Sequence, residues 1–236
     1  MPLPLEKQVR KTELHQQKIL VYGRPKIGKS TFCSFFPNTL FLATEPGLNW
    51  LDVASVNITS WEKFLDTCAE IAKGSHPYKT IIIDTLDGLK KLCDDWVCRS
   101  KEIDEIGNYK KFGAYHITTS EMSTKIMKLS LLPYGLVCVS HVKDVEVETK
   151  TKKYNRQTVD LSGGISRELL KLFDIILFMD SEMKDGTEVG MIRTKPSIYF
   201  EAGDKSKLLP EVIEYPLADP QKAFVRVNGY FQPKKG

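Results

Sequence analysis

Gly23-Arg24-Pro25-Lys26-Ile27-Gly28-Lys29-Ser30-Thr31 follows directly on the apolar run Ile19-Leu20-Val21-Tyr22. The spacing is that of the phosphate-binding loop G-x-x-x-x-G-K-[ST], with Gly23, Gly28, Lys29 and Ser30 at the fixed positions. A loop wrapped round a triphosphate turns its own N–H groups inward, and a side chain at Gly28 would obstruct that turn. Lys29 reaches the β and γ phosphates, Ser30 offers a hydroxyl to Mg²⁺, and the helix opening at Lys29 points its positive end at the same anion. The stretch therefore predicts a nucleoside triphosphate site on an α/β fold.

Working outward, the chain alternates short apolar runs with helical periodicity. Thr39 to Thr44 reads as a second buried strand, ending at Glu45-Pro46-Gly47. Ser60 caps a helix whose Trp61, Phe64, Leu65, Cys68, Ile71 and Ala72 share one face. Thr80 to Asp84 is a third strand, three isoleucines running into a carboxylate, and a helix from about Asp87 to Glu105 follows. A further helix runs from about Thr118 to Leu132, then a fourth strand, Leu136 to Ser140, which finishes at His141. Lys143 to Leu161 alternates Val145, Val147 and Thr149 around a turn-like Tyr154-Asn155, which fits a projecting β-hairpin; its dense cations fit a disordered loop equally. A short helix over Ser166 to Phe173 and two antiparallel strands, Asp174 to Met179 and Thr187 to Thr194, come next. The remainder, rich in proline and lysine, reads as mostly irregular.

Length and composition fit one domain. The 236 residues, 42% hydrophobic and 27% charged, suit one soluble α/β unit, and no run of 18 apolar residues crosses a membrane. The N-terminus lacks an apolar signal region, so a cytoplasmic protein is expected. A net charge of +4 is too mild to define a polyanionic partner. Cys33, Cys68, Cys93, Cys98 and Cys138 form no C-x-x-C pair and read as buried thiols. The expected fold is α/β, a mostly parallel sheet flanked by helices on both faces with an antiparallel C-terminal extension. We divide it into an arm over 1–17, a core over 18–200, and an extension over 201–236 packed on or trailing from that core.

Ligands in such sheets bind beyond the carboxyl ends of the strands. Asp84 then takes the place of the second nucleotide motif, holding Mg²⁺ with Ser30. Glu45 is placed to orient and deprotonate an attacking water. His141 is placed to contact the γ-phosphate, though a strand-end histidine also serves as a plain polar residue.

This set of residues, in this order, resembles the ATPase core of RecA-type recombinases. The TLFLATEPG and VSHV stretches are similar to reduced RecA-like nucleotide-binding proteins of bacteriophages, some of which act in single-strand annealing. The resemblance covers about residues 18 to 200. It implies ATP and Mg²⁺, Lys29 and Glu45 as catalytic residues, and His141 as the γ-phosphate switch where recombinases usually carry Gln. It implies single-stranded DNA on the loop after the sensor strand, through Lys150, Lys152, Lys153, Tyr154 and Arg156, since cations neutralise phosphates and a ring stacks a base. It also implies a homo-oligomer in which Arg193 and Lys195 reach a neighbour's γ-phosphate, a single-strand-binding protein as a further partner, and a bacterial host cytoplasm. The arm of under twenty residues is too short for a separate polymerisation domain. Two other readings of the same loop are a nucleotide-switched loader or regulator of a replication protein, and a small-molecule kinase. The kinase would need an arginine-rich lid, and the segment from Lys150 to Arg156 holds a single arginine.

Overall fold

The structure, a computed structural model, describes residues 9–110, 113–149 and 152–232. Its centre is β1 (Lys18–Gly23), buried along its whole length. On one side β1 pairs in parallel with β5 (Gly135–Glu148), which is followed outward by β4 (Thr80–Asp84), β2 (Thr39–Ala43) and β3 (Ala54–Asn57). On the other it pairs in parallel with β7 (Ile175–Lys184), beyond which β8 (Thr187–Arg193) and β10 (Val212–Pro216) run antiparallel. β6 (Lys153–Val159) pairs with β5, and β9 (Gly203–Asp204) with β7. The fold is thus the expected α/β sheet with an antiparallel C-terminal part.

Strand periodicity sends alternate residues to opposite faces. Leu20 and Tyr22 enter one core, against α2 (Trp61–Lys73), α3 (Leu86–Lys101), α4 (Tyr115–Ser130) and α5 (Gly163–Leu170). Ile19 and Val21 enter the other, against α1 (Lys29–Ser34) and α6 (Pro220–Gly229). β1 is therefore covered twice, as its unbroken apolar run requires.

One expectation is corrected. The C-terminal remainder is not mostly irregular: Ile213 and Tyr215 of β10 and Ala223, Val227 and Phe231 of the α6 region are core residues. Asp219 caps α6 through Lys222 N–H, and Pro220 occupies its first turn. β3, which the sequence reading did not include, is an edge strand that is mostly exposed and carries little apolar signal. In addition, Leu14, inside the stretch read as an arm, is 1% exposed and belongs to the β1 core.

Of the two readings of Lys143 to Leu161, the described residues form the hairpin. β5 continues well past His141 and β6 returns antiparallel, with Val145 opposite Arg156 and Val147 opposite Tyr154.

Candidate functional site

The parallel register brings the strand ends into line. Gly23 lies opposite His141 of β5 and Met179 of β7, while Asp84 lies opposite Ala43 and Val139. Gly23, Asp84 and His141 thus sit together at the carboxyl end of the parallel strands, where ligands bind in such sheets.

The loop after β1 turns in a left-handed conformation at Lys26 (φ 65°) and Gly28 (φ 95°). At Gly28 the positive φ favours glycine, and an added Cβ would lie 2.7 Å from Pro220 Cγ of α6. Gly23 is needed for close passage, because a Cβ there would lie 2.3 Å from the Met179 carbonyl oxygen. Arg24, Pro25 and Lys26 are exposed, Ile27 is buried, and Ser30 and Thr31 are half-buried in the first turn of α1.

Lys29 is 6% exposed, and its ammonium donates to the carbonyls of Gly23 (2.9 Å) and Arg24 (2.8 Å). Burial pulls its pKa down, while the charges of Asp84 and Asp87 oppose that shift. Asp84 is 7% exposed. Burial pushes its carboxyl above the usual range, against a hydrogen bond from Ser30 and the charge of Lys29. A hydroxyl and a carboxylate beside a buried lysine are hard oxygen donors of the kind Mg²⁺ takes, so Ser30 and Asp84 fit the expected metal.

Glu45 follows β2, and its Oε1 accepts from the Thr85 hydroxyl at 3.2 Å. Thr85 is in turn fixed by Thr44: Thr85 N–H donates to Thr44 Oγ1 (2.8 Å), and that hydroxyl donates to Thr85 O (3.0 Å). Two backbone-anchored threonines hold the glutamate's support.

His141 is gripped by a residue that sequence reasoning missed. Asp87 Oδ1 accepts from Ser140 Oγ (3.1 Å) and from His141 N–H (3.0 Å), and its Oδ2 lies 2.8 Å from His141 Nδ1. Burial opposes the charge on Asp87, but the hydrogen bonds from His141 outweigh it and hold the carboxyl below the usual range. An ionised carboxylate only accepts, so His141 Nδ1 carries a proton. One side-chain donor atom each from Glu45, Asp87 and His141 lie within 4.8 Å of one another. Both Asp87 oxygens already accept hydrogen bonds, from Ser140 and His141, while Glu45 stands beside that pair on its own support from Thr85. The missed signal is Asp-Thr-Leu-Asp: Thr85 caps α3 through Gly88 N–H, which places Asp87 in the first turn, facing the strand ends.

The remaining expected residues lie elsewhere. Lys150 is outside the described residues. Lys152 and Lys153 are exposed on the hairpin; Lys153 pairs with Glu146 (2.7 Å) and Arg156 with Glu201 (2.9 Å). Tyr154 packs edge-on against Tyr199, centroids 5.9 Å apart. Arg193 pairs with Glu182 and stands 3.9 Å from Asp180, over the Phe200 ring, and Lys195 lies 3.5 Å from Asp204. Both basic residues face carboxylates of their own chain. Of the cysteines, Cys33, Cys93 and Cys138 are buried as expected, whereas Cys68 and Cys98 are partly exposed. No helix among the described residues is long and apolar enough to cross a membrane.

The chain is 26% identical over 182 residues to the SPbeta prophage-derived uncharacterized protein YorG of Bacillus subtilis (strain 168), a match that covers 73% of this chain. It spans about half, 53%, of that relative's length. Among solved structures it is similar to the flagellar accessory protein FlaH of Methanocaldococcus jannaschii, at 11% identity and TM-score 0.46, covering 86% of this chain and 85% of that one. It is also similar to the KaiC-like protein PH0186 of Pyrococcus horikoshii OT3, at 13% identity and TM-score 0.48, covering 86% and 90%. A family model described as an AAA domain, AAA_24, matches residues 15–206, which take in the phosphate loop, Glu45, Asp84, Asp87 and His141. The chain belongs to the AAA_24 family of P-loop ATPase domains.

Proposed function

We propose that this chain hydrolyses ATP with Mg²⁺, and that single-stranded DNA on the β5–β6 hairpin sets the rate. The observation that carries the first half is convergence. Lys29 and Ser30, Glu45, Asp84 and His141 come from four separate segments to one sheet edge, and two of them, Lys29 and Asp84, are buried charges. Buried charge persists where an ionic ligand compensates it.

In the proposed reaction a water oxygen attacks the γ-phosphorus, its proton passes to Glu45, and the bond to the β-phosphate oxygen breaks to release ADP and phosphate. Lys29 gives up its loop carbonyls to meet the phosphate oxygens. Mg²⁺, held through Ser30 and Asp84, supplies charge neutralisation at those oxygens. His141 meets the γ-phosphate end and registers its loss.

The second half rests on the continuity of β5. One strand of 14 residues, Gly135–Glu148, carries both His141 and the first arm of the hairpin. A shift at the γ-phosphate therefore has a direct covalent route to the exposed Lys152 and Lys153 and to the half-buried Tyr154. Action as an oligomer in strand annealing, with Arg193 or Lys195 leaving Glu182 or Asp204 for a neighbour's phosphate, belongs to the same reading. So does a phage origin, in keeping with the Bacillus relative, which is named as prophage-derived.

The test is the rate of phosphate release with Mg²⁺-ATP, with and without a long single-stranded oligonucleotide, at low and moderate salt. Stimulation that fades as salt rises, and that is lost in Lys152→Glu/Lys153→Glu, is the expected result. Turnover untouched by DNA would leave an ATPase governed by a protein partner, as in a loader of a replication protein.

A further inference from the structure

We propose that Asp87 is the positioning residue for His141, fixing both the direction and the tautomer of its ring. This rests on the reading of His141 as the residue that meets the γ-phosphate. Three hydrogen-bond donors converge on this one buried carboxylate: Ser140 Oγ–H, His141 N–H and His141 Nδ1–H, at 3.1, 3.0 and 2.8 Å. Two of the three come from the histidine itself, one from its backbone and one from its ring. A grip on both removes the freedom of β5 to slide against α3 as well as the freedom of the ring to turn. Two sources of movement are thus arrested at the junction between the nucleotide edge and the hairpin.

The tautomer follows from the acceptor. With Nδ1–H donated to Asp87, Nε2 is the nitrogen left to face a ligand. Glu45 stands in the same cluster, and its Oε1 is supported by Thr85, the residue that caps the helix bearing Asp87. The base and the sensor are therefore both referenced to the first turn of α3. A ring that flips or changes tautomer would lose its register with Glu45.

Asp87→Asn is the discriminating change, since it keeps shape and alters hydrogen bonding. The amide oxygen can still accept from Ser140 and His141 N–H, but its NH₂ now donates toward Nδ1. The ring must then accept at Nδ1 and move its proton to Nε2. In a long-range proton–nitrogen NMR spectrum, with His141→Gln used to assign the ring, wild type is expected to show Nδ1–H and Asp87→Asn to show Nε2–H. The expected kinetic effect is a fall in kcat of about 10- to 100-fold with little change in ATP affinity, the cost of misplacing a correctly bound group. In the His141→Gln background, Asp87→Asn is expected to cost nothing further.

An unchanged tautomer in Asp87→Asn overturns the proposal. So does an equal loss of rate with and without His141, which would mean that Asp87 acts elsewhere. If His141→Gln alone leaves turnover intact, the sensor reading falls, and the tautomer alone then decides whether Asp87 positions the ring.

Discussion

Replacing Phe224 by Ala tests whether the C-terminal helix is part of the nucleotide site. α1 is six residues long, too short to hold its shape without tertiary support. That support is aromatic: the Phe224 ring lies 5.7 Å from Phe32, 5.0 Å from Phe36 and 6.1 Å from Phe35, all in or next to α1. A fully buried Phe→Ala costs about 3–5 kcal/mol, part of it as edge-to-face contact. Phe224 is only partly buried, so the loss should be about 2–3 kcal/mol. For a chain of this size that lowers Tm by about 4–12 °C. Urea unfolding should show a lower midpoint at unchanged slope, and ATP binding should weaken because Pro220 of the same helix abuts Gly28. Val225→Ala, on the exposed side of α6, should stay within about 0.5 kcal/mol of wild type. A Phe224→Ala loss no larger than that of Val225→Ala would refute the idea that α6 braces the phosphate loop.

Other expectations follow from single close contacts. Gly135→Ala would place a Cβ 1.7 Å from the His15 carbonyl oxygen, a backbone atom that cannot swing aside. It should cost about 3 kcal/mol or more in urea unfolding, and unchanged stability would contradict the docking of Leu14–Gln16 against β5. Lys18 is 8% exposed and donates to Tyr134 O; burial, with help from Lys11, lowers its pKa from 10.5 to about 8. Between those two values the unfolded chain holds a proton that the folded chain has released, so this group makes stability rise with pH across that window. Comparison of wild type with Lys18→Met at neutral and alkaline pH should show the rise only in wild type.

Legibility in the sequence tracked how local each signal was. The phosphate loop, Asp84 and the buried strands could be read because each is a short run whose chemistry is self-contained. The C-terminal part was misread although its signals are present: Ile213 and Tyr215 alternate with Glu214 and Pro216, and Asp219-Pro220 opens a helix with Ala223 and Val227 one turn apart. Scattered prolines and lysines masked them, and what makes the segment core is burial against α1 and the phosphate loop, as where the Tyr215 hydroxyl meets the Ile27 carbonyl from 188 residues away in sequence. Asp87 was read only as the start of a helix. Its role depends on β5 lying beside β4, which puts His141 within reach of the first turn of α3. The basic residues of the hairpin were legible as cations, but not their carboxylate partners Glu146 and Glu201. Pairing across strands is a tertiary fact.

The most direct test of the account is Glu45→Gln, measured for ATP binding and for phosphate release in parallel. The substitution keeps the side chain's size and its contact with Thr85 while removing the base. The account predicts that ATP and Mg²⁺ bind as in wild type and that turnover falls by at least about 100-fold. Turnover within about twofold of wild type would contradict it and move the catalytic base to another residue of the site.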